Sequence, residues 1–127
     1  LAGTAPAAAS AFRPAISADL DAALASGRPV VIDFWAEYCA ICKELDRGMF
    51  RDPRVADALQ GVTALKIDVE QEPDIARKYG LLGVPHLTFI DRAGQERKDI
   101  PNAAPASVED LIKRISALKS GQPWAEP

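Results

Sequence analysis

The residues with the clearest chemistry are Cys39 and Cys42, the only two cysteines of the chain, which are separated by Ala40 and Ile41. They follow an apolar run at 30–36 that is typical of a buried strand. Two thiols with this spacing, where a strand gives way to a helix, are typical of a redox pair. The first would lie in the opening turn of the helix, where free backbone N–H groups and the helix dipole stabilise a thiolate. The spacing therefore predicts dithiol–disulfide exchange, with Cys39 as the more exposed nucleophile and Cys42 as the resolving thiol.

Other roles for this pair of cysteines are less favoured. A purely structural disulfide is disfavoured because a bridge that closes so short a loop constrains the unfolded chain little. A structural zinc site needs four ligands, whereas the two cysteines and His86, the only histidine, supply three. A copper(I) site between two thiolates stays open as an alternative, although Glu37 and Tyr38, rather than a methionine, precede the first cysteine. We predict no metal and no organic cofactor, with the electrons carried by the two sulfurs.

Composition restricts the class of protein. The 127 residues are 48% hydrophobic and 26% charged, with a formal net charge of −3, which is ordinary for a single globular domain. The lack of a Lys or Arg cluster weighs against a nucleic-acid partner. No apolar stretch approaches the roughly 18 residues needed to cross a bilayer. Because the chain begins with Leu1 and not with Met, we interpret it as a processed protein or a segment of a longer one, whose remainder could contain a membrane span.

The pattern of apolar residues, proline and glycine predicts three regions: an Ala/Pro-rich linker at 1–15, a folded domain at 16–120 and a flexible tail at 121–127. Within the linker, Phe12 could dock on the domain. The predicted helices are 17–26 with Ser17 as its N-cap, one beginning at Cys39, a shorter piece after Pro53, 74–79, and a last helix capped by Ser107. The predicted strands are 30–36, 62–69, 86–91 and 95–100. This order predicts an α/β fold in which helices cover both faces of one mixed sheet of about four to five strands.

Two segments resemble the thioredoxin family. The run 31–43, Val-Ile-Asp-Phe-Trp-Ala-Glu-Tyr-Cys-Ala-Ile-Cys-Lys, is similar to that family's active-site strand and motif. The run 78–85, Lys-Tyr-Gly-Leu-Leu-Gly-Val-Pro, is similar to its approach to a cis-proline. With the strand spacing around them, the resemblance covers roughly residues 17–119. It implies a thioredoxin fold and the activity of a thiol:disulfide oxidoreductase.

A narrower resemblance concerns the stretch after the second cysteine. The segments 43–45 (Lys-Glu-Leu), 49–55 (Met-Phe-Arg-Asp-Pro-Arg-Val) and 94–96 (Gly-Gln-Glu) look like the C-terminal periplasmic domain of the DsbD family of thiol:disulfide interchange proteins. That resemblance implies a reductase that takes electrons from a membrane-embedded donor and passes them to periplasmic partners through transient mixed disulfides. Its location would be the periplasm, either as a domain of an inner-membrane protein or as an exported protein. A free-standing thioredoxin-like reductase with broader substrates is the alternative.

The family resemblance also implies which residues receive a partner. Pro85 would be cis and would present the backbone of Val84 to an incoming peptide as a short strand pairing. An apolar rim beside the cysteines would consist of Trp35, Tyr38, Ala40 and Ile41. For Trp35, simple core packing is an equally good interpretation.

Two positions depart from the family pattern. The family usually has Thr after the cis-proline, where this chain has His86, which either modulates the thiols by titrating near neutral pH or is simply packed or exposed. The family usually has a Gly in the loop before the last helix, where this chain reads Ile-Pro-Asn-Ala-Ala-Pro at 100–105. We expect Asn102 to supply the positive φ that Gly would adopt.

Two carboxylates complete the predicted site. Asp33 interrupts the apolar strand, where a buried carboxylate is costly without a partner or a role. Mainly on the family resemblance, we expect it to accept the proton of Cys42; the alternative is an Asp satisfied by backbone or by Lys66. Asp46 follows Cys42 by four residues and so shares its helix face. Together the two negative charges would oppose thiolate formation at Cys39, unless Asp46 belongs to a merely solvated helix face.

Overall fold

A four-stranded mixed sheet forms the centre of the structure, a computed structural model that describes residues 8–125. Its strands are β1 (Arg13–Pro14), β2 (Val30–Trp35), β3 (Thr63–Asp68) and β4 (His86–Ile90), in the spatial order β1-β3-β2-β4. β3 runs parallel to both β1 and β2, and β4 is antiparallel to β2. The chain between β2 and β3 crosses over through helices, as a parallel connection requires. The predicted α/β fold with a mixed sheet is confirmed.

Within residues 8–125, five α-helices and a short 3₁₀ helix surround the sheet. They are α1 (Ser17–Ala25), α2 (Ala40–Arg47), the 3₁₀ helix Met49–Arg51, α3 (Pro53–Ala58), α4 (Pro73–Lys78) and α5 (Val108–Ser120). Leu45, Val55 and Leu111 pack with Val31 on one face of β2. Leu20 and Ile75 pack with Ile32 and Phe34 on the other face. Helices α2, α3 and α5 therefore cover one face, and α1 and α4 cover the opposite one. None of the helices within residues 8–125 has the length and apolar character of a membrane span.

The prediction of a linker over 1–15 is wrong for its last residues, whereas the docking of Phe12 on the domain is confirmed. Phe12 is buried and its ring packs against that of Phe50 at a centroid distance of 4.5 Å. Arg13 and Pro14 then pair with β3 as the edge strand β1. A two-residue strand has too little pattern to be predicted from sequence, and its position at the sheet edge tolerates a proline. The first seven residues of the predicted linker lie outside the described part of the chain.

Two other predicted elements need correction. The segment 95–100 is not a strand; it makes an isolated bridge between Glu96 and Ile90 after the turn at 91–94. Its sequence, Gln-Glu-Arg-Lys-Asp-Ile, has few apolar side chains to bury, so only its start pairs with β4. Ser17 is the first residue of α1 and not its N-cap, which is Ile16, whose backbone N–H donates to Asp19 at 2.8 Å.

The predicted flexible tail is also wrong as far as residue 125. Gly121 ends α5 with φ of 74°, a conformation that glycine adopts readily. The chain then folds back along α5, where Trp124 packs against the core and its backbone N–H donates to Asp99 at 2.9 Å. Lys113 of α5 lies 4.7 Å from the centre of the Trp124 ring. Helix, core and loop therefore all contribute contacts that hold this segment.

Candidate active site

The two cysteines form a disulfide at the start of α2. Cys39 is the N-cap of this helix, and its Sγ accepts a hydrogen bond from the backbone N–H of Cys42 at 3.1 Å. Cys39 is 8% exposed and Cys42 is 2% exposed. Both residues are buried, and Cys39, the more exposed of the two, is at the helix N-terminus, where backbone donors stabilise a thiolate once the bond is reduced.

Asp33 lies in the middle of β2 on the face covered by α2. It is 1% exposed, and within residues 8–125 neither carboxylate oxygen has a hydrogen-bond partner. The pKa of Asp33 is raised to about 7, mainly by burial; the charge of Lys66 opposes this shift and that of Asp46 adds to it. A carboxyl group with this pKa can exchange a proton near neutral pH. The alternative interpretation, in which hydrogen bonds from the backbone or from Lys66 satisfy Asp33, is wrong, because neither donates to its carboxylate.

Asp46 and Lys66 form an ion pair between α2 and β3. Lys66 Nζ of β3 lies 3.3 Å from Asp46 Oδ2 of α2, and both side chains are less than one-fifth exposed. The same ammonium group lies 4.1 Å from the centre of the Trp35 ring. Because Asp33 is the register partner of Lys66 across β2 and β3, the strand pairing brings both carboxylates to one lysine. Asp46 is thus part of a partly buried charged cluster, not of a freely solvated helix face.

The predicted apolar rim is exposed at three of its four positions. Tyr38 is 72% and Ile41 54% exposed, and Ala40 between them is also exposed. Trp35 is partly buried and is in contact with Lys66. Leu82, which the sequence interpretation did not assign, is fully exposed. Large apolar side chains in contact with water at the same end of the sheet are typical of a protein-docking surface.

A groove borders this end of the sheet. The Val84–Pro85 peptide bond is cis. Pro85 immediately precedes β4, and the first residue of β4, His86, pairs with Phe34 near the end of β2. The 81–85 loop and the 36–39 loop therefore leave the sheet side by side. A cavity of about 440 Å³, which we call the partner groove, is lined by Gly80, Leu82, Gly83, Val84, Pro85, His86, Asn102 and Ala103.

The expectation for Asn102 is wrong. Within residues 8–125, every residue with a positive φ is a glycine, so Asn102 does not replace the family's Gly by conformation. Its carbonyl accepts a hydrogen bond from Leu87 N–H of β4 at 2.8 Å. The loop is therefore held against the sheet edge by backbone pairing.

His86 packs next to the core beside the groove. Its ring is 6.2 Å from that of Phe34, centroid to centroid, in an edge-on orientation. Partial burial lowers the pKa of His86, and the Glu96 carboxylate opposes this shift. The imidazole is therefore mainly neutral at pH 7. In the described part of the chain, no group of three or more His, Cys, Asp or Glu side chains is placed to hold a metal ion.

This arrangement of a sheet, an N-capping cysteine and a second cysteine one turn later defines a thioredoxin-fold disulfide site. The thioredoxin family profile matches residues 11–117. The thiol:disulfide interchange protein DsbD of Pectobacterium atrosepticum is 39% identical over 84 residues, which are 62% of this chain and 15% of that protein. The chloroplastic thioredoxin-like protein HCF164 of Arabidopsis thaliana is 30% identical over 103 residues, which are 79% of this chain and 38% of that protein.

A solved structure agrees with the fold. The oxidised C-terminal domain of DsbD from Neisseria meningitidis superposes with a TM-score of 0.66 at 24% identity, covering 84% of this chain and 98% of that one. The chain belongs to the thioredoxin family and is similar in sequence to DsbD proteins. It spans less than one-fifth of the DsbD protein from Pectobacterium.

Proposed function

We propose that this domain is the electron-donating end of a DsbD-like pathway in the periplasm, which receives electrons from a membrane-embedded donor and reduces disulfides of other proteins. The observation that carries the reducing direction is a pair of acidic groups, the buried Asp33 of β2 and the partly buried Asp46 of α2. Asp33 lacks a hydrogen-bond partner among residues 8–125, and Asp46 lies one helical turn after Cys42. Lys66 balances the charge of one carboxylate, and the other ionises as pH rises through about 7, so the cluster then carries a net negative charge that disfavours the thiolate form. A disfavoured thiolate stabilises the disulfide relative to the dithiol, which makes the dithiol a better reductant.

The proposed reaction begins with the reduced protein. The Cys39 thiolate attacks one sulfur of a partner disulfide; a Cys39–partner bond forms, the partner S–S bond breaks, and the released partner thiolate takes a proton from water. Cys42 then transfers its proton to the Asp33 carboxylate and attacks the Cys39 sulfur. The Cys39–Cys42 disulfide forms and the second partner sulfur leaves as a thiolate. Two electrons have passed to the partner, and a dithiol donor must return two to the domain.

The exposed rim and the groove support recognition of an extended segment around the partner disulfide. We propose that Trp35, Tyr38, Ala40 and Ile41 contact this segment from the side of the cysteines. Val84, on the other side, would pair with its backbone as an added strand. The full exposure of Leu82 adds a further apolar contact at the groove mouth.

The reduction potential of the Cys39–Cys42 pair tests this proposal. The protein is equilibrated in a dithiothreitol series and a glutathione series, and the dithiol is quantified after acid quenching. We expect a value between about −270 and −200 mV, the range of thioredoxin and glutaredoxins. A value near −120 mV, roughly that of a strong oxidant, would contradict a reducing role. Rapid reduction by a thioredoxin reductase, with turnover on unrelated disulfide proteins, would instead support a free-standing general reductase.

A further inference from the structure

Arg114 is a buried cation far along the sequence from the cysteines. It lies in α5 and is only 4% exposed. An arginine is rarely buried to this extent unless its guanidinium group is fully engaged. Arg114 lies three residues after Leu111 and four before Leu118, so it is on the buried face of α5.

The guanidinium group connects α5 to the loop that precedes it. Nε and Nη2 donate to the two oxygens of Asp110 at 3.2 and 2.9 Å. Nη1 donates to the carbonyl oxygens of Pro101 at 3.1 Å and Ala103 at 2.6 Å. Asp110 also accepts a hydrogen bond from the backbone N–H of Ala106 at 3.0 Å. One ion pair thus holds three backbone positions of the 101–106 loop.

This loop forms one wall of the partner groove. In sequence, Asn102 lies between the two residues whose carbonyls bind Arg114. Its own carbonyl accepts a hydrogen bond from the backbone N–H of Leu87 in β4. Asn102 and Ala103 line the groove together with Val84 and Pro85 on the other side. A shift of the loop would therefore change the width of the groove without moving α2 or its cysteines.

The loop has no glycine to set its path, and its residues all have negative φ. We propose that Arg114 is a positioning residue that, through the carbonyls of Pro101 and Ala103, sets the wall of the partner groove and thereby the affinity for protein disulfides. This inference rests on the proposed function, since it assigns the groove to the partner. It also assigns Asp110 as the residue that orients the guanidinium fork.

Arg114→Lys and Arg114→Met test the inference, with Arg54→Met as the matched control. A lysine keeps the positive charge but cannot span Asp110 and both carbonyls with a planar fork. Arg54 also bonds to α5, through Glu109 at 2.9 Å, but it is exposed and contributes nothing to the groove. Each protein is assayed well below its melting temperature with two probes: insulin as a protein disulfide and hydroxyethyl disulfide as a small one.

We expect the KM for insulin to rise about fivefold in Arg114→Lys and further in Arg114→Met, with kcat within about twofold of the parent. The rate with hydroxyethyl disulfide and the reduction potential should not change, because neither depends on the groove. Arg54→Met should match the parent in all four measurements. An unchanged KM in a folded Arg114→Lys variant, even with a lower melting temperature, would show a merely structural role and overturn the inference.

Hydrogen exchange gives a second readout that does not need turnover. The Leu87 amide, which bonds to Asn102, should exchange at least about tenfold faster in Arg114→Lys, whereas the amides of β2 should not. Unchanged protection of Leu87 would overturn the inference by itself. A parent protein with the reduction potential of a strong oxidant would contradict the proposed function, and the Leu87 amide would then decide separately whether Arg114 positions the loop.

Discussion

Lys66 of β3 and Asp46 of α2 form an ion pair at 3.3 Å, while Asp33, the register partner of Lys66, has no hydrogen-bond partner in residues 8–125. Two carboxylates thus share one ammonium group in a largely buried place. Only one of them is paired with the lysine at short distance. The result is an asymmetric cluster in which Asp33 holds its proton to about pH 7 because burial raises its pKa. The cluster therefore changes its charge in the pH range where the cysteines react.

Replacement of Asp33 by Asn should stabilise the oxidised protein at alkaline pH. The ordinary pKa of the carboxyl group is 3.8, and burial raises it to about 7 in the folded state. Between these values the folded state binds one more proton than the unfolded state, so the contribution of Asp33 to the free energy of unfolding falls as pH rises through this window. The loss amounts to at most about 4 kcal/mol above pH 7.

Urea denaturation of the parent and Asp33→Asn at pH 5 and pH 8 measures this effect. We expect the variant to be more stable at pH 8 by up to about 4 kcal/mol, with a smaller difference at pH 5. Asp57→Asn is the control, because Asp57 is exposed on α3. An equal difference at both pH values would mean that Asp33 does not titrate between them.

Replacement of Lys66 by Met should move the pH dependence of disulfide exchange. The positive charge of Lys66 lowers the pKa of Asp33, in opposition to burial. Its removal makes the carboxylate less favourable, so the pKa of Asp33 should rise further above its ordinary value. The step in which Cys42 resolves the mixed disulfide should then need a higher pH, and its rate at pH 7 should fall by about two- to tenfold.

The resolution step can be followed by rapid quenching of the mixed disulfide between pH 6 and pH 9. Lys43→Met is the control, because Lys43 follows Cys42 directly but pairs with exposed Glu37 at 2.9 Å. That variant should keep the pH profile of the parent. A Lys66→Met profile that coincides with the parent's would rule out Asp33 as the proton acceptor whose ionisation controls the step.

The thioredoxin-like layout could be predicted from the sequence because its signals are local. The apolar strand before Cys39 and the proline at position 85 are readable in short windows. The buried position of Asp33 could be predicted for the same reason, since apolar residues flank it on both sides. The ion pair of Asp46 with Lys66 could not, because it depends on how α2 packs against β3. Arg114 was missed because a charged residue on a helix is normally expected to face water.

Replacement of Leu82 by Ser should weaken binding of protein disulfides but not of small ones. Leu82 is fully exposed at the mouth of the partner groove, so it contributes nothing to the core of the free protein. Burial of a leucine side chain against a partner contributes about 1.5–3 kcal/mol, and partial burial should still be measurable. We expect the KM for insulin to rise about threefold or more, with the hydroxyethyl disulfide rate and the melting temperature unchanged.

Ile16→Ala is the control for Leu82→Ser. Ile16 is also an exposed apolar residue, at 55%, but it precedes α1 and does not line the groove. It should leave both substrates unaffected. Equal KM values for parent and Leu82→Ser would exclude a contact of this side chain with the partner.

Replacement of Thr88 by Val should stabilise the protein. Thr88 lies in β4, is 1% exposed, and its hydroxyl has no hydrogen-bond partner within residues 8–125. A buried hydroxyl without a partner costs roughly 1–3 kcal/mol, whereas Val has nearly the same shape and favours strands. We expect the free energy of unfolding to rise by about 1 kcal/mol in urea denaturation, with an unchanged m value. Thr63→Val, at a partly exposed position of β3, should gain less. A loss of stability in Thr88→Val alone would mean that the hydroxyl is bonded in solution, most simply to a water molecule that enters beside β4.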